Sequence, residues 1–225
     1  MLKALLFDLD GTLANTDPLH YFTWQEVMSE FGITIDESFY QSRFSGRLNE
    51  AILQDLLPHL TPKENQNLAE YKEAKFRERT LELRPLPGLG ELLAWSHAHA
   101  LQQAVVTNAP SANTRHLLKV LGLEEAFPVV VLAEELPQGK PDPLPYQTAL
   151  NHLGIQAHEA IAFEDSPSGI RSAVDAEICT VAIASTHSPD HLLNLGASLV
   201  IADFTDLRLE ALLRSALQSG EAVVQ

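Results

Sequence analysis

The sequence predicts an α/β protein in which a doubly wound, mostly parallel sheet is interrupted once by a helical insertion. Three observations carry this expectation. A short apolar run, Ala4-Leu5-Leu6-Phe7, stops abruptly at two acids, Asp8 and Asp10, as a buried parallel strand does where it leaves the core. After Pro85-Leu86-Pro87-Gly88, compact apolar runs alternate with helix-period segments at regular spacing, the rhythm of strands joined by crossover helices. Between these regions apolar residues recur at helical spacing with little strand signal.

Taken in order, 4–7 opens the sheet. The insertion then shows its helical stripe in Leu19, Phe22, Trp24, Val27, Met28 and Phe31, in Ile52, Leu53, Leu56 and Leu57, and in Leu68, Tyr71 and Phe76. It departs just after the acidic motif and returns at the Pro-Gly punctuation, so it is expected to hang over the carboxylates as a lid. Strands are then expected at 103–107, 129–132, 160–163, 179–183 and 199–201, and helices at 89–99, 113–121, 144–153, 168–175 and 206–219. Gly122 and Gly154 each follow a helical stretch and precede an apolar residue, as C-terminal glycine caps do. The expected organisation is a Rossmann-like core of residues 1–15 and 85–225 and a helical cap of residues 16–84.

With 225 residues and 45% hydrophobic content, the chain can bury a full core. Its 15 Lys and Arg stand against 30 Asp and Glu, a formal charge of -15, which disfavours nucleic acid as a partner. An anionic substrate would need a metal ion and local cations, with Lys140 and Arg47 as candidates, to reverse that potential. The single cysteine, Cys179, cannot form an internal disulfide and reads as a small core residue. No apolar stretch approaches the roughly 18 residues needed to cross a membrane, and the first run breaks at Asp8, too early for a signal peptide. A cytoplasmic monomer with no membrane partner is the expectation.

Asp8-Leu9-Asp10-Gly11-Thr12 ends the first strand. Period-2 alternation aims Asp8 and Asp10 the same way, while Gly11 permits a sharp departure and Thr12 adds a hydroxyl. One carboxylate can attack a phosphorus while its neighbour handles protons; a polar turn is the alternative, and these five residues alone do not choose. Three further groups stand at strand ends, where open α/β sheets bind ligands. Thr107-Asn108 offers a hydroxyl and an amide to phosphate oxygens. Gly139-Lys140-Pro141 holds one cation in a proline-framed loop, suited to a phosphoryl group in transfer. Glu164-Asp165-Ser166 supplies carboxylates which, with Asp8 and the Asp10 backbone, would suit Mg²⁺; helix capping is the alternative use of Ser166.

The ordered set Asp8/Asp10, Thr107, Lys140 and Glu164/Asp165 resembles the four motifs of the haloacid dehalogenase-like hydrolase superfamily over nearly the whole chain. The resemblance implies an aspartyl-phosphate on Asp8, acid/base work by Asp10 and a phosphoryl grip by Thr107 and Lys140, with Gly11, Thr12, Asn108 and Ser166 near the substrate. It implies Mg²⁺ held by Asp8, Asp10 and Asp165, and by Glu164 directly or through water. The insertion resembles the four-helix cap of the group that contains phosphoglycolate phosphatase and β-phosphoglucomutase.

Within the superfamily, Asp10 argues against dehalogenases and phosphonate-cleaving relatives, which lack that acid. Thr16, His20, Trp24 and Lys72 match β-phosphoglucomutase positions. The mutase loop G-x-x-R, however, reads Gly46-Arg47-Leu48-Asn49 here, and asparagine cannot replace a bidentate arginine. The reading is therefore a Mg²⁺-dependent phosphatase of a small phosphorylated metabolite, a sugar phosphate or phosphoglycolate-like ester, with Gly46, Arg47, Asn49, His20 and Lys72 as cap contacts. A β-phosphoglucomutase-like mutase is the runner-up. A phospho-signalling receiver, which shares an acidic pocket, a hydroxyl and a lysine, is the alternative from another class.

Overall fold

The computed structural model describes residues 1–44 and 47–218. In chain order the elements are β1 (Ala4–Phe7), α1 (Asp17–Ser29), α2 (Glu37–Arg43), α3 (Asn49–Leu56), α4 (Pro62–Arg79), α5 (Leu89–Ala98), β2 (Gln102–Thr107), α6 (Ser111–Leu121) and β3 (Val129–Leu132). There follow α7 (Leu144–Leu153), β4 (Ala160–Glu164), α8 (Pro167–Asp175), β5 (Cys179–Ile183), α9 (Pro189–Asn194), β6 (Leu199–Ile201) and α10 (Leu207–Gln218). All six strands pair in parallel, in the order β3-β2-β1-β4-β5-β6. That is a doubly wound sheet, and its order reverses between β1 and β4, where ligand crevices form.

Alternation along β1 divides the core. Ala4 and Leu6 join Ala104, Val106, Ala160, Ala162, Tyr146 and Ala149 in one buried cluster, where alanines on the sheet leave room for α7. On the opposite face Phe7 stacks on Phe163 at 4.9 Å, its partner in register, and Phe127 and Phe204 meet it edge-on. Such aromatic contacts add to the burial itself. Gly122 and Gly154 end α6 and α7 in the left-handed conformation, as the sequence predicts.

Beyond shifts of one or two residues at element ends, three details differ from expectation. The strand expected to stop at Phe163 continues through Glu164, because Lys140 and Tyr146 take up that carboxylate inside the fold. Cys179 is half-buried at the start of β5, where burial still raises its thiol pKa. The six-residue α9 spans too few turns to show a period.

The chain divides into two units, one of Met1–Asn15 with Arg84–Gln225 and one of Thr16–Leu83. The second is built on its own cluster of Trp24, Val27, Met28, Tyr40, Phe44, Ile52 and Leu53. Its longest helix, α4, starts with a reciprocal capping box between Thr61 and Glu64, satisfying two N–H groups the first turn leaves over. Among the described residues no helix is long and apolar enough to cross a membrane.

Candidate active site

The strand order places two acids side by side. Asp8 extends the β1–β4 ladder by donating its N–H to the Phe163 carbonyl at 2.9 Å, and the register Phe7 to Phe163 carries Asp8 past the sheet edge next to Glu164 and Asp165. All three carboxylates are buried. Gly11 turns the chain away with φ +75°, and its bare Cα is needed: a Cβ there would lie 2.1 Å from Asp165 Oδ2.

Lys140 meets this cluster from the loop before α7. Its ammonium donates to Asp8 Oδ1 at 2.6 Å, to Glu164 Oε1 at 2.5 Å and to the Val106 carbonyl at 2.6 Å, which uses all three N–H bonds. The loop is clamped by Asn108, whose Oδ1 accepts from Lys140 N–H at 2.9 Å and whose amide donates to the Lys140 carbonyl at 3.0 Å. The Asn108 side chain, expected near the substrate, is thus committed to Lys140. Thr107 is buried and its oxygen accepts from Ala109 N–H at 2.9 Å, leaving its own hydrogen to donate.

Electrostatics follow from this crowding. Burial drives Asp8 upward, Lys140 opposes and Glu164 adds to it, with the balance at about 7. Burial, then Asp8 and Glu164, push Asp165 well above the carboxylate range against the Thr186 hydroxyl. Burial alone would lower Lys140, yet Asp8 and Glu164 outweigh it and raise the ammonium. When ionised, three acids around one ammonium leave two negative charges in a dry site.

That donor set fits a hard divalent cation. One oxygen from each of Asp8, Glu164 and Asp165 lies within 4.8 Å of the others, and Glu164 Oε2 is buried without a hydrogen-bond partner among the described residues. Carboxylate oxygens at this density suit Mg²⁺. The Thr12 hydroxyl oxygen is likewise buried and unpartnered among the described residues. Ser166 accepts from Gly169 N–H at 3.1 Å and so caps α8, while Asp10, half-buried in the turn, bridges to Ala14.

Sequence reasoning missed three residues of this unit. Tyr146 donates to Glu164 Oε1 at 2.7 Å; its signal was a tyrosine on an otherwise apolar helix face, whose hydroxyl must find a partner. Ser185 and Thr186, just beyond β5, donate to Gly11 O at 2.8 Å and Asp165 Oδ2 at 2.9 Å. They obey the strand-end rule that found the other groups.

The remaining candidates belong to the helical unit. Lys72 is buried, donates to Glu73 at 2.8 Å and His20 Nδ1 at 2.7 Å, and lies 5.3 Å from the Trp24 ring. His20 stacks on Phe76 at 3.9 Å, and Asn49 donates to Glu73 at 2.5 Å. Burial alone would raise Glu73, but Lys72 and His20 hold it at about 2. Arg47 is exposed and engaged with Asp55 at 3.1 Å and the Arg43 carbonyl at 2.8 Å, while Arg43 takes the same Asp55 oxygen at 2.7 Å. Gly46 lies outside the described residues.

Known proteins bear on this geometry. The family model for haloacid dehalogenase-like hydrolases matches residues 5–183. Validoxylamine A 7'-phosphate phosphatase of Streptomyces hygroscopicus subsp. limoneus is 32% identical across 92% of this chain and 97% of its own. A phosphorylated carbohydrates phosphatase of Thermotoga maritima is 30% identical across 89% of this chain and 91% of its own. Among solved structures, a HAD hydrolase of family IA, variant 3, from Entamoeba histolytica superimposes with a TM-score of 0.87 at 27% identity, covering 96% of this chain and all of that one.

Proposed function

Because the chain belongs to the haloacid dehalogenase-like hydrolase family and is a phosphomonoester hydrolase, we propose that it is a Mg²⁺-dependent phosphatase of a small phosphorylated sugar or similar metabolite, working through an aspartyl-phosphate. The observation that carries the reading is the buried ammonium of Lys140 shared by Asp8 and Glu164 beside Asp165. Bound Mg²⁺ would be held by Asp8, Asp165, the Asp10 backbone oxygen and Glu164, directly or through water, and would supply positive charge to the phosphoryl oxygens.

The chain's own groups then have defined work. An Asp8 oxygen forms a bond to phosphorus as the ester P–O bond breaks, and Asp10 gives the leaving oxygen its proton. Lys140 and the Thr107 hydroxyl hold the group as it passes between oxygens. Water next attacks the aspartyl-phosphate and yields its proton to Asp10, which releases inorganic phosphate and restores Asp8.

Hydrolysis is favoured over phosphate transfer between hydroxyls because Asn49 stands where the mutase loop carries an arginine, and an amide cannot give a bidentate grip on a second phosphate. The test is phosphate release from a panel of sugar phosphates and phosphoglycolate with Mg²⁺, with glucose 1-phosphate isomerisation run alongside. Steady release that Asp8→Asn abolishes, with circular dichroism unchanged, is expected. A stoichiometric stable phosphoprotein, isomerisation outpacing hydrolysis, or near wild-type turnover by Asp8→Asn would each overturn the reading.

A further inference from the structure

Two hydroxyls just beyond β5 bear on the acids. The register Glu164 to Ala182 between β4 and β5 brings the residues after β5 alongside Asp165. There Thr186 Oγ1 donates to Asp165 Oδ2 at 2.9 Å and reaches the Asp165 carbonyl at 3.2 Å, while Ser185 Oγ donates to the Gly11 carbonyl at 2.8 Å. His187 Nδ1 lies 2.8 Å from the Thr186 oxygen. With that ring nitrogen donating, Thr186 keeps its single hydrogen for Asp165.

The same carboxylate oxygen is confined from the other side, because the space beside Gly11 that a Cβ would fill is the place of Asp165 Oδ2. Asp165 Oδ2 is thus held between a glycine and the Thr186 hydroxyl, with Ser185 Oγ 3.5 Å away, and holding it sets the direction of the whole carboxylate. Outer groups that hydrogen-bond a ligating carboxylate fix its direction, and their loss typically weakens metal binding 10–100-fold.

We propose that Thr186 is a positioning residue for the divalent cation, orienting Asp165 from the loop after β5, with Ser185 holding the Gly11 turn against it. This rests on the reading that Asp165 is a ligand to that cation. It adds residues outside the acid set and puts part of the metal affinity on a loop far along the chain.

The experiment is direct Mn²⁺ binding to the full-length protein, read by electron paramagnetic resonance of free Mn²⁺, for wild type, Thr186→Val and Thr186→Ser. The valine keeps the shape and removes the donor; the serine keeps the donor. Thr186→Val should weaken Mn²⁺ binding roughly ten-fold or more, leave the thermal midpoint in EDTA nearly unchanged, and raise the Mg²⁺ concentration for half-maximal rate while kcat at saturating Mg²⁺ is kept. Thr186→Ser should bind as wild type does. Should the valine variant not fold, Thr186→Ala gives the same comparison. Wild-type binding matched within two-fold by Thr186→Val overturns the positioning role alone, whereas absence of saturable Mn²⁺ binding by wild type overturns the cation reading and this inference with it.

Discussion

Gly169→Ala sets two effects of opposite sign against each other. Gly169 sits in the first turn of α8, where exchange for alanine would ordinarily stabilise a helix by up to about 1 kcal/mol. Here an added Cβ would stand 1.8 Å from Glu164 Oε2, 2.1 Å from its Cδ and 2.3 Å from Oε1. Glu164 cannot swing aside and still accept from both Lys140 and Tyr146. Breaking a buried ion pair costs about 3–5 kcal/mol, so the net loss should be about 2–4 kcal/mol. Urea unfolding measures it, and phosphate release should fall ten-fold or more, since a mispositioned Lys140 no longer holds the transferring group. The decisive comparison is the same substitution in a Glu164→Ala background. With the carboxylate gone, Gly169→Ala should turn neutral or mildly stabilising. An equal cost in both backgrounds, or a wild-type-like single variant, would refute the placement of Glu164.

Acid titration supplies a second check. Asp8 titrates near 7 when folded against an ordinary 3.8, so the native state holds more protons between those values and stability must fall as pH rises from about 4 to about 7. At roughly 1.4 kcal/mol per pH unit Asp8 alone accounts for a loss of roughly 4 kcal/mol, and Asp165, also raised, adds to it with the same sign; urea unfolding in EDTA reads it, and saturating Mg²⁺ should flatten the slope, since a cation binds the deprotonated form. A flat profile in EDTA would contradict the buried acid cluster. In the helical unit the sign reverses. Glu73 is held at about 2, so its contribution is whole above about 4.5 and fades as pH falls toward 2. Glu73→Gln should cost about 3 kcal/mol at neutral pH by removing the negative charge that faces the buried Lys72 ammonium. Adding Lys72→Met should recover part of that loss, and an additive double variant would argue against the pair.

The sheet was legible because each strand is a short apolar run, and three of the runs, β1, β2 and β4, end on groups that a core rejects. That logic located Asp8, Thr107 and Asp165 from one-dimensional pattern alone. It failed where a polar group lies inside: Glu164 belongs to β4, and only the convergence of Lys140 and Tyr146, from other elements, makes a buried glutamate tolerable. The partner of Arg47 was illegible for a related reason: Asp55, eight residues on, takes its guanidinium, and nothing in local spacing announces that pairing. Asn108 was placed at the right strand end, whereas its use as a clamp on the Lys140 backbone needs the crossover from β2 to the α7 loop.

Three glycines in the motif regions share a requirement that conformational freedom does not explain. Of Gly11, Gly139 and Gly169, only Gly11 has a positive φ. At each, a Cβ would enter volume held by a functional side chain: Asp165 Oδ2 at Gly11, Asn108 Oδ1, 2.8 Å from such a Cβ, at Gly139, and the Glu164 carboxylate at Gly169. Each glycine therefore reserves space for an acid or an amide, brought from a distant part of the chain at Gly11 and Gly139 and from the end of the preceding strand at Gly169. Three carboxylates and an ammonium can be packed this closely only if the backbone between them gives up its own side chains. The spacing of acid, lysine and glycine along the sequence thus records a volume constraint as well as a chemical one, and a substitution at the glycines is predicted to act on the charged residues they accommodate.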